Sequence, residues 1–160
     1  MDVLIREYRA EDEEPVVELS LRAWAPVFLS LGQILGRDIS ARLHGDWRRY
    51  QENAVRAVLA DRTGRVWVAG AGGAVTGFVA AALHPDRLIG EIVMLAVDPD
   101  AQDRGTGTAL TEFATGWLRD AGMRIAMVET GGDDGHAPAR RVYEKADYVL
   151  LPVARYFKAL

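Results

Sequence analysis

The sequence predicts a single mixed α/β (α+β) domain spanning residues 1–160, with a central, largely antiparallel sheet of about seven strands flanked by helices. Three observations predict it. Residues 65–97 hold three strand-like runs, RVWVA, VTGFVAAAL and EIVMLAV, joined by connections so short that neighbours must run antiparallel. Residues 91–130 then read as strand, glycine-rich turn, helix and strand, a crossover that makes a parallel pair and therefore a mixed sheet. A chain of 160 residues, 49% of them hydrophobic, has the size of one domain and enough apolar content to fill its core.

Taken in order, residues 3–8 form the first strand. The acids within residues 9–14 suit the positively polarised first turn of a helix, Pro15 is tolerated there, and Val16, Leu19, Ala23 and Trp24 line one face until Pro26 ends it. Residues 26–40 are apolar but interrupted by Gly32 and Gly36, and read as a short helix or a loop. A second long helix is expected over residues 39–60, with Leu43, Trp47, Tyr50, Ala54 and Val58 on one stripe. Residues 65–69 and 75–83 make a hairpin around GAGGA, and His84, Pro85, Asp86 and Arg87 turn the chain into the strand ending at Val97. Leu110, Phe113, Ala114, Trp117, Leu118 and Ala121 recur at helical spacing, with Gly122 as the stop. Residues 123–130 are the next strand, GGDDG a flexible loop, residues 136–145 a helix, and residues 148–153 and 154–159 two terminal strands.

Composition removes several function classes. A formal charge of −4 offers no general attraction to nucleic acid or an anionic membrane. No apolar stretch approaches the roughly 20 residues of a membrane span, and the opening residues lack a signal-peptide layout, so a cytoplasmic protein is expected. With no cysteine, disulfides, thiolate metal sites and a cysteine nucleophile are all excluded. His44 alone makes no metal site, and none is expected.

The chemistry concentrates at the turn after Val97. Gly105 and Gly107 lack side chains, so the main chain there can take unusual dihedrals and let an anion approach its N–H groups at the start of a helix. Two familiar phosphate loops do not fit. A Walker A loop needs Lys-Ser/Thr after its last glycine, and a dinucleotide fingerprint needs a glycine where Leu110 stands. Gln102, Gly105 and Gly107 do fill the pattern Gln/Arg-x-x-Gly-x-Gly/Ala, a short loop beyond a strand ending Val-Asp-Pro. This resembles the acyl-CoA-binding motif of the GNAT superfamily of N-acyltransferases. Ala139, Tyr143, Glu144, Lys145 and Tyr148 are similar to a second superfamily pattern, Asn-x-x-Ala-x-x-x-Tyr-Glu-Lys-x-Gly-Phe. His136 departs from it in place of the asparagine, and Ala146-Asp147-Tyr148 in place of x-Gly-Phe.

The resemblance implies an N-acetyltransferase with acetyl-CoA as co-substrate, bound in a V-shaped opening where strands four and five splay apart. It implies that main-chain groups of Leu95, Ala96 and Val97 pair with the pantetheine arm, with an N–H near Leu95 or Ala96 available to a developing oxyanion. The diphosphate then rests on Gln102, Asp103, Arg104, Gly105, Thr106, Gly107 and Thr108, and His136 takes the place of a pantetheine-side contact. Tyr143 resembles the tyrosine that protonates the departing thiolate. Glu91 stands where a histone-acetylating branch carries its catalytic glutamate, and Glu129 is the second candidate base. Without cysteine, direct attack in a ternary complex is the expected route. The acceptor is an unidentified amine, whose pocket falls to residues 24–42 and the GGDDG loop, with Trp24, Phe28 and Trp47 lining it and Asp133 and Asp134 facing a cation. A non-catalytic acyl-CoA-binding module on the same scaffold stays open, as does a homodimer.

Overall fold

The computed structural model describes residues 3–160. Among them one sheet runs in the order β1 (Leu4–Glu7), β2 (Arg65–Ala71), β3 (Ala74–His84), β4 (Ile89–Val97) and β5 (Ile125–Val128). The first four are antiparallel neighbours, and β5 lies parallel to β4. The β2–β3 turn is built on Gly72 and Gly73, with φ of +59° and +87°, a left-handed pair that matches the twist of a tight hairpin.

The mixed, largely antiparallel sheet is as the sequence predicts, but it has five strands rather than seven. Residues 148–160 take no regular secondary structure, where two terminal strands were expected. The residue types suit a strand, yet a strand exists only through a neighbour, and no part of this sheet pairs with the segment.

The helices are α1 (Glu13–Leu43), α2 (Trp47–Ala60), α3 (Thr106–Asp120) and α4 (Ala137–Lys145). Pro26 does not end α1, which continues to a break at Gly36 (φ 77°, ψ 171°). Proline's fixed φ is compatible with a helix, and burial of Val27 on the next position helps hold the continuation in place. The helix expected over residues 39–60 is divided at His44 and Gly45, and α2 starts at Trp47 with the Asp46 carboxylate accepting from the Arg48 N–H at 3.1 Å. Gly122 stops α3 as expected, with φ +88° and the Met123 N–H donating to Leu118 O at 3.1 Å.

Two cores fill the two sheet faces. Leu110, Ala114 and Leu118 of α3 pack on Trp67, Val79 and Ile92, while Val16, Val17 and Leu19 of α1 and Val55 of α2 pack on Val68, Phe78 and Ala96. Beneath the start of α1, Arg6 donates two 2.8 Å hydrogen bonds to the buried Asp12 carboxylate, which also accepts from the Arg9 N–H at 2.8 Å.

Candidate active site

β4 is the element that shapes the site. It pairs with β5 only over residues 89–92, ending at Ile92 opposite Val128, yet it continues alongside β3 to Val97. Against β3, Ala81 faces Ile92 and Ala80 faces Met94, which leaves Val93 as the extra residue of a bulge. A bulge bends its strand and increases the twist, and this one falls where the β4–β5 ladder stops. The bulge also reassigns the side chains: Ile92 belongs to the α3-side core, whereas Met94 and Ala96 belong to the α1-side core. Beyond it, residues 94–97 have a strand neighbour on the β3 side alone. Main-chain groups among Leu95, Ala96 and Val97 that point away from β3 therefore border an open wedge.

The turn after Val97 is tied to the strand it leaves. Gln102 Nε2 donates to Val97 O at 3.2 Å, Asp98 Oδ1 accepts from the Asp100 N–H at 2.9 Å, and Arg22 of α1 reaches Asp98 at 3.1 Å. Asp103 (φ 60°) and Gly105 (φ 81°) are both left-handed, while Gly107 is not. Alternation of this kind turns successive N–H groups toward one concavity. No side chain caps α3, and its first internal bond runs from the Ala109 N–H to Gly105 O at 2.9 Å, which leaves the amides of Thr106, Gly107 and Thr108 ahead of it. The ends of β4, α3 and α4 converge on Gly107, where a Cβ would make ordinary contacts of 3.6 Å with Val142 Cγ2 and 3.7 Å with Val97 Cγ2. Arg104 is exposed in the turn.

α4 brings Tyr143 into this corner, 8% exposed, with its ring 6.0 Å from that of Tyr148. Burial and then the neighbouring Tyr148 push its hydroxyl pKa up to about 12, so it stays protonated at neutral pH. The hydroxyl makes no hydrogen bond among the described residues.

The preceding GGDDG loop is pinned, where the sequence suggests a flexible one. Arg140 donates to Gly131 O at 2.6 Å and to Asp133 O at 2.7 Å, and Ser30 of α1 donates to Asp133 Oδ2 at 2.8 Å. His136 Nδ1 bonds the other Asp133 oxygen. Burial opposes charge on Asp133, but hydrogen bonds from His136 and Ser30 outweigh it and hold the carboxyl below its usual range. Ser30 escapes a sequence reading because no spacing rule links it to a loop about 100 residues away, and Arg140 because the carbonyls it reaches seven and nine residues upstream face it only once α4 is docked.

Glu91 is half-buried in the last paired stretch of β4, opposite Met127, and its Oε2 lies 2.9 Å from His84 Nε2. Glu129 is exposed just past β5, in no ion pair among the described residues. Two clefts lie along α1, one toward the loop and one toward α2. One of about 390 Å³ is lined by Pro26, Ser30, Gln33, Asp133 and Asp134, and another of about 520 Å³ by Phe28, Gly32, Gln33 and Trp47. Phe28 and Trp47 stack at 5.0 Å, whereas Trp24 packs on the α1-side core instead of lining a cleft. No cluster of three or more metal-ligating side chains occurs among the described residues, and no helix there is long and apolar enough to cross a membrane.

The model of the acetyltransferase (GNAT) family matches residues 29–148, which spans β4, the glycine turn and α4. The chain belongs to the GNAT acetyltransferase family. Two relatives are mycothiol acetyltransferases. The one from Thermomonospora curvata is 32% identical over 74% of this chain and 43% of its own length, and the one from Pseudarthrobacter chlorophenolicus is 31% identical over 73% and 33%. The GNAT chain thus spans less than half the length of these curated relatives. Its fold is similar to that of the PaiA N-acetyltransferase from Thermoplasma acidophilum, solved in complex with coenzyme A, with a TM-score of 0.64, 16% identity and coverage of 91% and 89% of the two chains.

Proposed function

We propose that this GNAT chain is an N-acetyltransferase that moves the acetyl group of acetyl-CoA to a primary amine, of a small molecule or a protein, by direct attack in a ternary complex. The observation that carries the reading is the parting of β4 from β5 at Val93 beside the uncapped start of α3. The main chain of Leu95, Ala96 and Val97, which has no strand partner on the β5 side, suits the amides of a pantetheine arm, which can pair there as a strand does. The amides of residues 102–108, joined by Arg104, suit a diphosphate. His136, already engaged with Asp133 through Nδ1, keeps only Nε2 for the arm.

In this mechanism the amine nitrogen attacks the thioester carbonyl, an N–H of Leu95 or Ala96 stabilises the oxyanion, and the C–S bond breaks as the C–N bond is kept. Tyr143 gives its proton to the departing thiolate, a role for which its hydroxyl is both protonated at neutral pH and free of other hydrogen bonds among the described residues. Glu91 accepts the proton lost by the amine, with His84 holding the carboxylate, and Glu129 is the second candidate. The reading places the reaction in the cytoplasm, with no metal required. The acetyltransferase names of the curated relatives support the transferred group.

The test is incubation with acetyl-CoA and a panel of amines while free thiol is measured. Amine-dependent thiol release is expected. Thermal stabilisation by acetyl-CoA with no turnover on any amine leaves only the acyl-CoA-binding module, and neither response removes the reading altogether.

A further inference from the structure

The end of α4 folds the chain back onto the helix it leaves. Asp147 takes a left-handed φ of 64°, the Asp147 N–H donates to Glu144 O at 3.1 Å, and the Tyr148 N–H donates to Tyr143 O at 3.0 Å. This pair of bonds closes a helix in the way usually given to glycine, and it packs the residue after the turn against the one it bonds. Here those residues are Tyr148 and Tyr143, whose rings lie 6.0 Å apart. Where the family pattern has Gly-Phe, this chain has Asp147-Tyr148, so the turn is kept and a hydroxyl is gained.

That hydroxyl is engaged. Thr115 of α3 spends its own proton on Thr111 O at 2.8 Å, so its Oγ1 accepts from the Tyr148 O–H at 2.6 Å. Thr111 in turn donates to Gly107 O at 2.8 Å, in the turn of α3 that offers its amides. α4 and its cap therefore meet α3 twice: Val142 beside Gly107, and Tyr148 on Thr115, about 12 Å further along the α3 axis. Two points of attachment fix the direction of a helix that one would leave free to pivot. The Tyr143 hydroxyl makes no hydrogen bond among the described residues, so the packing of its ring, with Tyr148 as a neighbour, sets where its proton points.

We propose that Tyr148 is a positioning residue for Tyr143: tethered to Thr115, it holds the Tyr143 ring so that the phenol proton meets the sulfur of coenzyme A. This rests on the reading of Tyr143 as the proton donor. Tyr148 is not itself the acid, because its proton is given to Thr115 Oγ1. A reacting group misplaced by about 1 Å can cost about 100-fold in rate, so a bond that acts on placement alone has a large effect open to it.

Because the chain has no cysteine, the thiol of bound coenzyme A is the sole S–H in a complex with protein in excess, and its Raman S–H band can be titrated with pH. A hydrogen bond from Tyr143 stabilises the thiolate, so Tyr143→Phe should move the loss of the band up by about one pH unit. Tyr148→Phe keeps the ring and deletes only the tether, and Thr115→Val deletes it from the other side. Each should move the titration up by about half a unit, and neither should add to the shift in the Tyr143→Phe background. A purely structural role lowers the melting temperature and leaves the titration where it was. Coenzyme A that does not bind, or a titration unmoved by Tyr143→Phe, removes the proton-donor reading and the positioning role together. A titration moved by Tyr143→Phe but by neither tether variant overturns the positioning role alone, as does a Tyr148→Phe shift that persists in the Tyr143→Phe background.

Discussion

Gln102 Nε2 donates to the main-chain oxygen of Val97 at 3.2 Å, joining the residue that begins the glycine-turn motif to the last residue of the splayed strand. The side chain is thus spent on holding the turn against β4, which leaves the ligand to the amides. Gln102→Ala should raise the KM for acetyl-CoA about 3- to 10-fold, in line with one hydrogen bond of about 0.5–1.5 kcal/mol. Steady-state kinetics should find kcat within about twofold of wild type, since no reacting atom is touched.

Gly105 precedes α3 at φ 81°, a left-handed conformation that a β-branched residue adopts only with strain. Gly105→Val should weaken coenzyme A binding about tenfold by calorimetry, for a strain of about 1–2 kcal/mol. Helix content by circular dichroism should be unchanged, because a Cβ at this position meets nothing within 4 Å.

Tyr143→Phe tests proton donation. The hydroxyl has no hydrogen bond among the described residues, so its loss should leave the melting temperature within about 2 °C. Turnover should fall about 100-fold or more if the tyrosine protonates the thiolate. With the pKa near 12, wild-type kcat should show no fall assignable to this group between pH 7 and 10. Unchanged turnover in the variant removes the role.

Glu91→Gln should lower kcat at least tenfold, while Glu129→Gln should leave it within about threefold. His84→Ala, which frees the Glu91 carboxylate from its 2.9 Å partner, should have an intermediate effect and alter the pH profile of kcat/KM more than the KM for acetyl-CoA. Equal losses from both glutamate variants would count against Glu91 as the base.

Asp12, paired with Arg6, contributes to stability in a pH-dependent way. Hydrogen bonds from Arg6 lower its pKa, burial opposes them, and the Arg9 N–H adds to the lowering. A depressed folded-state pKa stabilises the protein at pH above the unfolded value and loses that contribution as pH falls through the folded one. Asp12→Asn should therefore cost about 1–3 kcal/mol near neutral pH, and denaturation curves of variant and wild type should begin to converge only as pH falls below about 4 and meet below the lowered folded-state pKa.

The sequence by itself determined what depends on neighbours along the chain. The hairpin glycines 72 and 73, the Gly122 stop, the apolar strand into Val-Asp-Pro and the Gln102, Gly105, Gly107 spacing are local requirements of backbone dihedrals and hydrogen bonds, and they were enough to point to the GNAT family and the corner where α3 begins. Tertiary structure decided the rest. The Val93 bulge lies within an uninterrupted apolar run, EIVMLAV, whose lack of alternation hides any change of face until β3 and β5 set the register. Pro26 reads as a stop until packing carries α1 past it, and the Asp133 loop reads as mobile until Ser30 arrives from α1 and Arg140 folds back from α4. Residues 149–160 carry a strand-like pattern but gain no strand, because pairing is a property of two segments and the sequence of one cannot supply the other.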